Sequence, residues 1–367
     1  MSAGFCNWVY RVQLEGSEQP IMVKLFSPLA KLRLAPDRRG LGDETAGDEA
    51  LGPRLLYRSA DGLICEWIEG ETLTEADLHA PSSSLPALIA PKLAALHGEP
   101  LAAVEAGDAD GPVLWQFLHA MIEQIALGAD ALPEGFTLAE LRAEVERMRR
   151  RCDALRLPVV RGHGDLKPSN VMHLKRAAGA PSDRPAVGDV AEISFIDFEL
   201  SGYARREPGQ MAWPVAATAC FGSLVRARVC AYVRSCHYRG YDLFKLFRTA
   251  GPRSAENMRA FLGAYLACRG GTADDTDTAP ADAATAVAAV SAGSLELDEL
   301  QAEANAAEPL TWLEAAVFFL FAISVYPSQA VRATAPSRLA SLSTVALGTR
   351  WSPTLSPLAN RCVIPPA

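Results

Sequence analysis

The chain has 367 residues with a formal net charge of −8, and 49% of it is hydrophobic. That length supports one large or two modest domains with buried cores. The acidic balance argues against nucleic acid or an anionic membrane as partner, and it suits a cationic small molecule.

The eight cysteines contain no C-x-x-C pair and read as reduced thiols of a cytoplasmic protein. A zinc site from Cys230, Cys236 and His237 lacks a fourth ligand at suitable spacing. Residues 1–16 show no basic start followed by an apolar core, so no signal peptide is expected. The apolar runs 211–225 and 312–326 are each shorter than the roughly 20 residues of a spanning helix. Pro214, Gly222 and Glu314 also interrupt them, so no stable membrane insertion is expected.

In chain order, residues 8–12 and Ile21–Phe26 alternate around a polar turn at 15–19, which predicts a β-hairpin. Gly4-Phe5-Cys6-Asn7 precedes it, where a loop can fold over phosphates. Two further strands are expected at 55–57 and 63–68, flanking a turn at 59–62. After Gly70 the pattern becomes helical, over Leu85–His97 (with Pro91 inside it), Val113–Leu127 and Leu138–Leu155. A small β-rich lobe over 1–70, with a hinge near 66–70, should therefore precede a helical lobe over 71–367. Residues 270–294 are rich in Ala, Thr, Asp and Gly without aromatics and read as a flexible surface loop.

The densest chemistry lies in His163-Gly164-Asp165-Leu166-Lys167-Pro168-Ser169-Asn170, followed by Ile193-Ser194-Phe195-Ile196-Asp197-Phe198-Glu199. An Asp, an Asn five residues on, and a second Asp ending an apolar strand are what phosphoryl transfer from ATP requires. One carboxylate takes the proton of the attacking hydroxyl, while an amide and another carboxylate hold magnesium. A turn-capping Asp or a strand-ending Asp would explain either carboxylate alone, but not both together with Asn170.

These residues resemble the choline/ethanolamine kinase family, within the wider protein-kinase-like and aminoglycoside-phosphotransferase group. Residues 2–7 look like its phosphate loop, and 22–26 like the strand carrying its nucleotide-contacting cation. Residues 51–57 are similar to its "GLGPKLY" segment and 66–73 to its "EFIPGRTL" hinge. Glu199 stands where protein kinases carry the Gly of Asp-Phe-Gly, which points to the small-molecule branch. The resemblance implies an α+β, bilobal protein-kinase-like fold, with ATP as co-substrate and Mg2+ as cofactor. It implies Asp165 as catalytic base, Asn170 and Asp197 as magnesium ligands, and Gly4, Asn7 and Lys24 at the phosphates. Glu44 is the acidic residue chosen as the partner of Lys24, and backbone groups at Trp67 and Ile68 would meet the adenine. Glu199, Tyr203 and Asp242 match positions that hold the cationic amino alcohol, with Trp312 and Phe318 as aromatic candidates; Asp242 has the alternative role of bracing the catalytic loop. The implied activity is phosphorylation of ethanolamine or choline, by a monomer or homodimer.

Two other readings stay open. One is a phosphotransferase of aminoglycoside type, which Gly164 fits slightly better because choline kinases commonly carry Asn there. The other is a catalytically impaired nucleotide-binding homologue. Residues 206–239 interrupt the family pattern, since joining Arg205 to Gly240 would restore it. They read as a surface excursion or as translated non-coding sequence. The chain also starts almost at the phosphate loop, as a minimal or an incomplete form would.

Overall fold

A computed structural model describes residues 2–3, 7–34, 36, 38–80, 83–98, 111–128, 137–174, 193–201, 236–249, 255–270 and 283–325. It begins with a five-stranded antiparallel sheet in the order β1-β2-β3-β5-β4, formed by Ser2–Ala3, Asn7–Val12, Ile21–Phe26, Leu55–Arg58 and Gly62–Glu66 in sequence order. Alternation in β3 turns Lys24 and Phe26 inward and leaves Leu25 exposed. Phe26, Leu63 and Cys65 bury against Ala30. Ala30 lies on α1 (Pro28–Arg33), which has Pro in its first turn and Ser27 as cap, accepting from the Ala30 amide at 3.2 Å. A second helix, α2 (Leu41–Asp48), follows. Neither helix was expected, because Leu-Gly-Asp-Glu-Thr-Ala-Gly-Asp has too few apolar residues to show a helical period.

Residues 67–69 carry the chain, without regular structure, from β5 to β6 (Gly70–Thr72). β6 belongs to another sheet, of order β6-β8-β9, with β8 at Val171–Leu174 and β9 at Ile193–Phe195. Between β6 and β8 in sequence come α3 (Glu75–His79), α4 (Leu85–His97), α5 (Val113–Leu127) and α6 (Leu138–Leu155). Pro91 does not break α4. Ile89, Ala90 and Leu93 bury against Phe261, Leu262 and Tyr265 of α8 (Ala255–Gly270), which offsets the one backbone bond that proline removes. The other core joins Leu114, Trp115 and Leu118 of α5 to Leu310, Val317 and Phe321 of the long helix α9 (Ala283–Val325).

Three expectations change here. The loop expected at 270–294 is helical from Ala283 onward, since an alanine-rich stretch without aromatics still favours helix; 271–282 lie outside the described residues. The apolar run expected at 312–326 is, through Val325, part of a longer helix, and 326 lies outside the described residues. Gly293–Val325 is long and apolar enough to cross a membrane by length and composition, yet 67% of its most apolar stretch is buried. Its acids Glu303 and Glu314 pair with Arg239 and Lys245, as suits a core helix.

The third change concerns 206–239, of which 206–235 lie outside the described residues. Its last four residues are built into the core. β10 (His237–Tyr238) pairs with β7 (Val159–Val160), the Val113 amide donates to the Cys236 carbonyl at 2.9 Å, and Arg239 opens α7 (Arg239–Lys245). Excision of the whole segment therefore removes a strand pairing and the buried Tyr238, whose hydroxyl accepts from Trp115 Nε1 at 3.2 Å. Tyr238→Ala should cost about 3–5 kcal/mol, in the range of other buried aromatic truncations. Urea unfolding would show it, and a change below ~1 kcal/mol would place Tyr238 outside the cooperative core.

Candidate functional site

The pairing of β8 with β9 sets Val171 opposite Phe195, which brings the ends of the two strands together. A short 3₁₀ turn, Pro168–Asn170, leads into β8, and the Ile196 amide donates to the Asn170 carbonyl at 3.0 Å. Asp197 therefore follows beside Asn170. Its backbone is left-handed (φ 68°), a conformation that aspartate tolerates better than most residues. Asn170 Nδ2 donates to the Asp165 carbonyl at 2.9 Å and to its carboxylate at 3.2 Å, so the three nominated groups form one cluster.

Lys24 reaches this cluster from the first sheet and ion-pairs with Asp197, with Glu199 at 4.0 Å. Burial alone would lower the Lys24 ammonium, but Asp197, Asp43 and Glu199 outweigh it and raise its pKa. The expected partner, Glu44, faces Arg58 at 3.7 Å instead. Adjacent helical residues diverge by about 100°, so α2 turns Asp43 inward in its place. Burial pushes the Asp43 carboxyl up, with Lys24 opposing, and its Oδ2 is buried without a partner.

Asp165 is held from both sides. Lys167 donates to its Oδ2 at 2.8 Å, and Lys245 lies 2.9 Å from its Oδ1. Burial would raise this carboxyl, yet the two ammonium groups hold it well below the usual range, so it is ionised at neutral pH. Burial would likewise raise Asp197, and Lys24 and Lys167 bring it down.

Beneath the loop lies Asp242, fully buried on α7. Its carboxylate accepts from the His163 amide at 2.6 Å and the Gly164 amide at 3.0 Å, and meets His97 Nε2 at 3.3 Å. Both oxygens are thus spent on the loop and on α4, which is the bracing role rather than contact with an ammonium. Burial would raise the Asp242 carboxyl, but the His97 bond and neighbouring histidines bring it to about 2. Gly164 has φ 77°, and a side chain there would run into the Leu200 carbonyl and His237. Glycine at this point answers to backbone and packing, so it gives no support to the aminoglycoside branch.

Glu199 is buried, accepting from Asn7 Nδ2 at 3.0 Å and from Arg33 at 3.3 Å. Burial and the nearby Asp197 raise its pKa, against Lys24 and Arg33. Arg33 also lies over the Phe318 ring, and Arg248 over that of Trp312. Trp67 donates to Glu69 at 2.7 Å in the half-buried segment that also contains Ile68. Gly4 and Tyr203 lie outside the described residues.

Lys245, Glu314, Arg33, Asp43, Lys167 and His97 had no assigned role in the sequence reading. Glu314 had a signal: a lone acid in an apolar helix needs a partner. Lys245 lies one turn after Asp242 on α7, and its Nζ meets Glu314 at 3.0 Å, Tyr241 Oη at 3.0 Å and the Gly164 carbonyl at 3.2 Å.

The family model described as choline/ethanolamine kinase matches residues 1–208. A probable ethanolamine kinase of Arabidopsis thaliana is 24% identical over 216 residues, covering 56% of this chain and 52% of the relative. The chain thus spans about half the length of that curated relative. An ethanolamine kinase from Plasmodium vivax matches with a TM-score of 0.61 at 15% identity, over 99% of this chain and 83% of that one. A choline kinase from Cryptosporidium parvum gives a TM-score of 0.55 at 11% identity, over 95% and 89%. At these identities the two likenesses show the fold, an α+β bilobal kinase-like one.

His97, His163 and His237 are all buried around Asp242, and burial lowers each below the usual histidine pKa. The unfolded chain binds their protons first, so each removes stability as pH falls below about 6.5, by at most about 1.4 kcal/mol per pH unit. Wild type should lose more stability than His97→Gln between pH 7 and pH 5 in urea titrations. Equal losses would show that His97 is not held neutral.

Proposed function

The chain belongs to the choline/ethanolamine kinase family, and from this we propose that it transfers the γ-phosphoryl group of ATP to the hydroxyl of ethanolamine or choline. The observation that carries the reading is the meeting of Asp165, Asn170 and Asp197 at the ends of β8 and β9, with Lys24 reaching Asp197 from the other sheet.

Asp165 accepts the hydroxyl proton as the acceptor oxygen bonds to the γ-phosphorus. The bond from that phosphorus to the β-bridging oxygen breaks, and ADP leaves with the electron pair. Lys167 and Lys245 keep Asp165 anionic, so it is a weak base. That suits a loose transition state in which the proton moves late. Asn170 orients the carboxylate, and Asp242 pins the backbone amides of the loop that carries it.

The donor set fits magnesium. Asp197 and Asn170 offer hard oxygens at neighbouring strand ends, and the orphaned Asp43 Oδ2 lies close enough to act on Lys24. Asp197 and Asn170 would hold the ion, which neutralises phosphate charge when bound. Lys24 would meet the phosphates together with Gly4 and Asn7, and the backbone at Trp67 and Ile68 would meet the adenine, as the family pattern implies.

Asp165→Asn should bind ATP with nearly unchanged affinity and lower kcat by about 10²–10⁴-fold in an ADP-release assay with both amines. Turnover close to wild type would remove Asp165 from the role. Asp197→Ala should weaken ATP–magnesium binding and rate together, because a hard oxygen ligand is lost. An unchanged magnesium dependence would show that the carboxylate is no ligand.

A further inference from the structure

Three described aromatic rings around the site lie beneath a cation of the chain itself. Arg248 Cζ lies 5.3 Å from the Trp312 ring centre, Arg33 Cζ 5.0 Å from that of Phe318, and Lys245 Nζ 5.0 Å from that of Tyr241. Trp312 is only 8% exposed and Tyr241 fully buried, so neither offers a second face. The corner beside Trp312 is also lined by donors: Trp312 Nε1 and Arg248 Nε are buried and have no acceptor. Such a corner favours an acceptor oxygen over a ring-bound quaternary ammonium.

The two kinds of amine ask for different surroundings. A quaternary ammonium has no N–H and is recognised through ring faces. A primary ammonium has three N–H donors and is recognised through carboxylate oxygens. This wall supplies the second kind. Lys245 bridges Asp165 Oδ1 at 2.9 Å and Glu314 Oε2 at 3.0 Å, so one ammonium spans the gap between the two carboxylates. A two-carbon amino alcohol with its hydroxyl on Asp165 reaches Glu314 with its nitrogen. The nearest cation contacts of Glu314, from Lys245 at 3.0 Å and from Arg248 at 3.8 Å, are both to Oε2.

We propose that Arg33, Arg248 and Lys245 set the acceptor class: by covering Phe318, Trp312 and Tyr241 they deny ring faces to a quaternary ammonium, and the site takes a primary amino alcohol whose nitrogen is held by Glu314. This rests on the reading above that the acceptor is an amino alcohol.

The test compares kcat/KM for ethanolamine and choline in the full chain, and titrates tetramethylammonium chloride against the intrinsic tryptophan fluorescence. Wild type should favour ethanolamine by about tenfold or more, the scale of a lost desolvated cation–π contact. It should show no saturable response to tetramethylammonium. Arg248→Gln, by uncovering Trp312, should shift the ratio toward choline and give saturable quenching. Choline used as well as ethanolamine by wild type, or saturable tetramethylammonium binding to it, overturns the inference. Turnover of neither amine by folded, ATP-binding wild type rejects the amino-alcohol reading instead, and the tetramethylammonium titration then decides the covering of the rings on its own. Should Arg248→Gln fail to fold, the two wild-type measurements still decide.

Discussion

A carboxylate with no access to water, Asp242, is the constraint around which the helical part is organised. An isolated buried charge is prohibitively costly, so it must be met by donors from every side. Here the donors are two backbone amides of the loop and a histidine from α4. His97 passes the connection on to Tyr265 of α8 through a 2.8 Å bond. α7 is thereby tied to the loop, to α4 and to α8 through one group. Three residues further along the same helix, Lys245 meets the Gly164 carbonyl of that loop and reaches α9 through Glu314. The loop is rigid because its amides and one of its carbonyls have partners on α7.

The two sheets join through charge as well as through the apolar packing of Ala46 and Leu51 against Phe195 and Phe198. Lys24 is an inward residue of an otherwise apolar strand, and its partner follows β9, an edge strand of the second sheet. Such a bond is weakly stabilising on balance, since desolvation offsets attraction, but its geometry is specific. It fixes where the first sheet lies over the loop. Asp43 and Glu199 are also buried around Lys24, so a cation arriving with the nucleotide would find carboxylates there.

Much of this was legible from residues alone. The hairpin strands, three long helices and the Asp165–Asn170–Asp197 cluster follow from periodicity and spacing, which are local. What was not legible depends on partners far away in sequence. Glu44 and Asp43 are indistinguishable as acids in a short segment; only the rotation of α2 selects Asp43. Trp312 and Phe318 read as open aromatic candidates, and no pattern announces that Arg248 and Arg33 lie across them. The end of the apparent insert was misjudged for the same reason: His237–Tyr238 is too short to read as a strand until Val159–Val160 is beside it. The alanine-rich start of α9 is low in complexity yet strong in helix propensity, and the propensity prevails.

The left-handed backbone at Asp197 restricts what can ever replace it. For ordinary L-residues that conformation costs on the order of 1–2 kcal/mol, and only glycine, asparagine and aspartate escape most of the cost. Glutamate would keep the charge but lose the conformation; asparagine would keep the conformation but lose the charge. Chemical similarity and backbone similarity therefore point to different substitutes, and aspartate alone satisfies both. Drift at this position is blocked in two independent directions, so a lineage that abandons the carboxylate passes most cheaply through asparagine or glycine, with the turn intact and the acid gone.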